Sequence, residues 1–208
     1  MLETKIDTGK TAVLVIDMQN DLIKVPDEPF NAVTRMAQSK GMIANTARVI
    51  GEARRLGMPV VYAGHIHRKD NADMKPTITD MMLQGPTPPA REAMVEGTPG
   101  AQIVDEIKPQ PGDHVIWKRR SNAFYCTDLE LMLRARGINT VIIVGAVTNG
   151  CVANTIRGAR ERDLNVIVLS DCIATMDPAD DEYFIKQVFP REGRVRTSDE
   201  IVSVLRNG

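Results

Sequence analysis

Residues 139–157 read NTVIIVGAVTNGCVANTIR. The apolar run Val141–Val144 meets Gly145, then the polar pair Thr148 and Asn149, then Gly150 and Cys151. The pattern predicts a strand, a tight turn and a helix N-terminus, with one thiol at the junction. A helix start carries partial positive charge and unpaired N–H groups. A thiol held there is predicted to lose its proton more readily, and the same amides can hold a developing oxyanion. The competing reading makes Cys151 a small buried apolar residue, because free cysteine is among the most buried types.

Two further charged residues close apolar runs. TAVLVID places Asp17 after a nearly continuous apolar stretch, Thr11 to Ile16, as in a strand buried on both faces of a parallel sheet. HVIWK places Lys118 at the end of a short strand, His114 to Trp117. In open parallel sheets, ligands bind beyond the carboxyl ends of strands. Asp17 as a turn cap and Lys118 as a solvated cation are the plainer alternatives. A carboxylate beside a thiol can take its proton as general base. An ammonium nearby stabilises both anions, and burial pushes the carboxyl group upward against it. His65 and His67 end the strand PVVYAGHIH with the spacing of two residues on one face. They suit either a metal pair without an obvious third ligand or hydrogen bonds to loop backbone and substrate.

The elements needed to carry these residues follow from periodicity. A long amphipathic helix is predicted over 31–57, with Gly41 as a break or a later start and Gly57 just past the end. Residues 68–111 are polar and interrupted by Pro and Gly, with a helix over 102–108, and read as a lid or a subunit contact. A helix is predicted over Phe124–Arg136, another from Cys151 to about Asp163, and helical residues near 180–188. LNVIVLSDC reads as a buried strand ending at Ser170 and Asp171. Arg194–Arg196 reads as a last short strand before a closing helix from Ser198. Strands and helices alternate throughout, which predicts an α/β fold with a mostly parallel, Rossmann-like sheet.

Composition narrows the class of function. The 208 residues suit one domain over 1–208 and can bury about 70% of the unfolded surface. A net charge of −1 without basic runs argues against nucleic acid or an anionic membrane as partner. The odd count of three cysteines, without a CxxC spacing, points to reduced thiols in a cytoplasmic protein. The polar start MLETKIDTGK lacks a signal core, and no apolar run approaches the roughly 20 residues of a membrane span.

VLVIDMQNDL around Asp17, VIWKRRSNAF around Lys118 and VGAVTNGCVANT around Cys151 resemble the three blocks of the isochorismatase-like hydrolase superfamily, in the same order. The resemblance runs from about residue 11 to the final helix. It implies a three-layer α/β/α fold with a six-stranded sheet and a catalytic triad of Asp17, Lys118 and Cys151. It also implies a cis peptide at Ala146–Val147 that aims the Val147 N–H, beside that of Cys151, at an oxyanion. Members that keep the cysteine generally hydrolyse C–N bonds of amides and ureides; others cleave a vinyl ether, some without the cysteine. Nicotinamidases of the family bind a metal through an Asp-x-His pair plus another histidine. His65 and His67 stand at the pair's positions here, so the expectation is no metal and no cofactor. Dimers or tetramers are common among relatives, so a homo-oligomer acting on a small molecule is expected. Gln19, Asn20, His67, Arg119, Arg120, Asn122 and Phe124 are the candidates for the pocket wall, the arginines as anchors for a substrate carboxylate. The resulting expectation is a cysteine-dependent hydrolase of a small amide or N-carbamoyl-type compound. The alternatives are an ether hydrolase, a nicotinamidase or a non-catalytic binding protein on the same fold.

Overall fold

In the computed structural model, residues 5–25, 31–70, 72–74 and 93–207 are described. The first strand, β1 (Thr11–Ile16), is buried at every position. Its side chains alternate between two apolar clusters. Val13 and Val15 join one, and Ala12, Leu14 and Ile16 the other. That alternation is what a central strand with helices on both faces requires. Five strands join it: β2 (Val60–His65), β3 (His114–Lys118), β4 (Thr140–Ala146), β5 (Asn165–Ala174) and β6 (Arg194–Arg196). The sheet order is β3-β2-β1-β4-β5-β6, and every pairing is parallel.

Helices cover the faces. α1 (Asn20–Ile23), α2 (Asn31–Ser39), α3 (Met42–Arg55) and the closing α8 (Ser198–Asn207) bury their apolar sides in the first cluster. α4 (Leu129–Ala135), α5 (Ala153–Arg160) and α7 (Phe189–Glu192) pack in the second. α6 (Pro178–Tyr183) begins on Asp177, whose side chain accepts from the Ala179 N–H. The three-layer α/β/α architecture expected from the sequence is the one present. Among the described residues, no helix is long and apolar enough to cross a membrane.

Several boundaries differ from the sequence reading. The helix expected over 31–57 is two helices, because Gly41 takes the left-handed φ of 62° between them. The helix expected over 102–108 is a single 3-10 turn, Asp105–Ile107. α4 starts only at Leu129, after a turn in which Cys126 has φ 54°. β5 runs past Ser170 and Asp171 to Ala174 through an irregularity: Ile143 faces Val168, but Gly145 faces Ile173. The lid or subunit contact expected over 68–111 falls partly on residues 75–92, outside the described residues. Its later part, 93–104, lies along the carboxyl end of the sheet, with bridges Gln19↔Ile103 and His67↔Val95.

β3 is an outer edge of the sheet. Its Trp117, the chain's single tryptophan, stands 39% exposed and lies on Gly64 of β2. A Cβ on Gly64 would come within 2.4 Å of the indole, so the ring and the missing side chain share one space.

Candidate active site

The carboxyl ends of β1 to β4 converge, and their registers set which residues meet. Ile16 faces both Ala63 and Gly145, and His65 faces Lys118. β1 and β4 approach so closely at Gly145, where φ is 128°, that a Cβ would lie 1.9 Å from the Ile16 carbonyl oxygen. Asp17 then leaves the strand with φ 49°, a conformation that aspartate tolerates better than most residues. Its N–H still donates to the Ala63 carbonyl at 3.0 Å, and its own carbonyl accepts from the Gln19 N–H at 2.9 Å. The sharp turn leaves the carboxylate under the sheet's end and almost wholly buried, at 1% exposure.

Lys118 reaches this carboxylate from β3. Its Nζ donates to Asp17 Oδ2 at 2.7 Å and lies 3.4 Å from His65 Nδ1, with the ammonium also buried. The Cys151 thiol is within hydrogen-bonding reach of both Asp17 and Lys118. The three residues named from the sequence thus meet around one sulfur. Burial pushes the Asp17 carboxyl upward, opposed by the Lys118 charge and by hydrogen bonds from the thiol and the lysine. The Cys151 thiol is pushed up to about 12, first by burial and then by the Asp17 charge, with Lys118 opposing. This corrects the expectation of an acidified thiol. Cys151 sits inside a π turn, Thr148–Val152, two residues ahead of α5, with an Asp17 carboxylate oxygen within 4.8 Å of the sulfur. The resting sulfur therefore holds its proton until a reaction draws it off. The Ala146–Val147 peptide that leads into this turn is cis.

The other candidates are placed differently from one another. Gln19 is fully buried and fully used by main chain: Nε2 donates to the His65 and Ala101 carbonyls, and Oε1 accepts from the His65 N–H. It braces strand ends and does not line a pocket. Asn20 likewise donates to the Pro99 carbonyl at 2.9 Å and holds the 93–104 segment. His67 is buried beside His65, with ring centroids 4.6 Å apart, and its Nδ1 lies 3.2 Å from Asp73 Oδ2. Arg119 stands 3.6 Å from both Asp73 and Glu96. Arg120 and Asn122 line an open cavity of about 450 Å³ beside α5 that does not include the triad. Phe124 is a core residue under the Arg162 guanidinium, 4.7 Å from its ring centre, and is no part of a pocket wall. Sequence reasoning did not place His65 against the lysine, a pairing that comes from sheet register and has no local sequence signal.

Among the described residues, Asp17, His65 and Cys151 form the one group of three whose donor atoms are close enough to hold a metal, all within 4.8 Å. The set does not fit a cation. The Lys118 ammonium already stands among these donors, 2.7 Å from Asp17 and 3.4 Å from His65, and a second positive charge there would be repelled.

The family profile of the isochorismatase domain matches residues 11–200. The chain is 33% identical over 179 residues to a ureidoacrylate amidohydrolase of Rhizobium rhizogenes, covering 82% of this chain and 72% of that protein. It is 31% identical over 197 residues to an N-carbamoylsarcosine amidase of an Arthrobacter species, covering 95% and 72%. Among solved structures, a cysteine hydrolase from Pseudomonas syringae pv. phaseolicola superposes with a TM-score of 0.81 at 26% identity, covering 99% of this chain and 96% of that one.

Proposed function

This chain belongs to the isochorismatase family, and from that premise we propose that it hydrolyses a C–N bond of a small amide or ureido compound through a thioester on Cys151. The observation that carries this reading is the meeting of a buried carboxylate, a buried ammonium and a thiol at one point. The names of the two amide-cleaving relatives support the choice of bond.

The steps follow from the charges. Asp17 takes the thiol proton as the sulfur bonds to the substrate carbonyl carbon. The carbonyl electrons move to oxygen, where the backbone N–H groups of Val147 and Cys151 receive them. Asp17 passes its proton to the departing nitrogen as the C–N bond breaks, and ammonia leaves. Water then attacks the thioester, giving its proton to Asp17, and the sulfur departs to recover a proton. Lys118 opposes the burial that raises the Asp17 carboxyl and compensates the sulfur charge when it forms.

A panel of amides, ureides and N-carbamoyl acids tests the reading by ammonia release. At least one should be turned over, and Cys151→Ala should reduce turnover by about 10³-fold or more. Turnover that survives Cys151→Ala, or cleavage confined to vinyl ethers, overturns it.

A further inference from the structure

Behind the turn that carries Cys151 lies a second charged pair that the proposed reaction does not use. The Thr148 hydroxyl, fully buried, donates to Asp181 Oδ1 at 2.7 Å. Asp181 Oδ2 accepts from the Lys40 ammonium. Lys40 also donates to the carbonyls of Ser170 (3.0 Å) and Ile173 (2.9 Å). These carbonyls belong to the stretch where β5 slips out of register with β4. A second tie secures the next residue of the turn. Asn149 Nδ2 donates to Asp180 Oδ2 at 2.8 Å, and its Oδ1 accepts from the Thr175 hydroxyl at 2.9 Å.

All three ammonium protons of Lys40 and both carboxylate oxygens of Asp181 are thus engaged, and the chain of contacts ends at Thr148. Enclosing such a pair costs desolvation that apolar packing would avoid, so its return is fixed geometry at its end point. Thr148 stands between Val147 and Cys151, whose amides are the proposed oxyanion donors. Displacing such donors from the oxygen's position weakens transition-state stabilisation far more than substrate binding.

We infer that the Lys40–Asp181 pair is a positioning device for the oxyanion donors, acting through Thr148 without touching substrate. The inference rests on the thioester reading above.

Two reagents isolate this role without a known substrate. Iodoacetamide alkylates sulfur by displacing iodide and builds no oxyanion. Acetaldehyde or glyoxylate adds reversibly to sulfur, and the former carbonyl oxygen takes the oxyanion position. Protection of Cys151 by the aldehyde against iodoacetamide, followed by mass spectrometry in alkaline buffer, therefore reads donor alignment. Thr148→Val and Asp181→Asn are expected to weaken protection by about 10- to 100-fold, with alkylation in the absence of aldehyde unchanged. Thr148→Ser restores the wild-type value. Glu182→Gln, on the exposed neighbour that pairs with Lys186, leaves it unaltered. If Asp181→Asn does not fold, Thr148→Val carries the test alone, since it removes one hydroxyl with little change of shape. Alkylation and protection falling in parallel, neither changing, or no protection in the wild-type protein each overturn the inference. The hydrolase reading fails separately, by absence of ammonia release from the wild-type panel while aldehyde protection persists.

Discussion

At Asp17 one carboxylate has two opposed effects on the same sulfur. It is the base that removes the proton, and its negative charge is a main reason the proton stays on at rest. Asp17→Asn separates these effects. Without the charge, the thiol falls from about 12 towards its ordinary range, so iodoacetamide should alkylate Cys151 faster at pH 8 than in the wild-type protein. Turnover should nevertheless drop, by about 10²-fold or more, because no base remains. A slower alkylation in the variant contradicts this balance of charges. The wild-type acid limb of kcat/KM should lie above the 3.8 of an ordinary aspartate, because burial raises the Asp17 carboxyl and only its ionised form accepts a proton. Asp17 and Lys118 were legible because each stands where a strand ends, and Cys151 because it follows the apolar run of β4 in a short turn; the resemblance to the three family blocks joined them. The polar residues after Asp17 were misread for a related reason. Gln19 looks like a pocket group in sequence, but a turn this sharp leaves main-chain groups to satisfy, and its amide satisfies them. The thiol's acidity was misjudged because it was referred to a helix start, while the nearby carboxylate comes from a strand some 130 residues away in sequence.

The elements were readable where apolar periodicity is long and not where geometry is set by single residues. β1, β2 and β4 appear as unbroken apolar runs and are strands. Gly41 was correctly singled out in the 31–57 helix, but whether it breaks the helix or starts it depends on its φ, which periodicity does not encode. β5 was read too short because Ser170 and Asp171 look like a strand end. They sit in the irregular stretch, where Asp171 accepts from Ser198 and Lys40 binds the Ser170 carbonyl. The contact between β1 and β4 makes its own prediction. Gly145→Ala places a Cβ against the Ile16 carbonyl at a φ that L-residues avoid, and the three nearest atoms are all Ile16 backbone, which cannot swing aside as a side chain would. The expected cost is about 3 kcal/mol or more, read as a lower urea midpoint at unchanged slope. An unshifted midpoint would mean that the two strands can separate there.

For the molecule as a whole, stability resides in the two apolar clusters pressed on either side of the sheet. Leu14, 1% exposed on the central strand, belongs to one of them. Leu14→Ala is expected to cost about 2–5 kcal/mol. Lys24→Ala, which removes a surface pair with Glu106 at 2.7 Å, should cost less than about 1 kcal/mol. Equal losses in denaturant titration would place the stability at the surface instead. Fold class and layer order were readable at this scale because alternating strands and helices leave few ways to bury both sheet faces. How residues 93–104 return to the strand ends was not, since it depends on braces such as Asp21, whose carboxylate accepts from the Met94 N–H. The ring resting on Gly64 has one more consequence. With a single indole in the chain, directly ahead of Lys118 on its strand, near-ultraviolet emission reports from one location. Events at that edge of the sheet can therefore be followed by light, label-free and in real time, from the native protein alone.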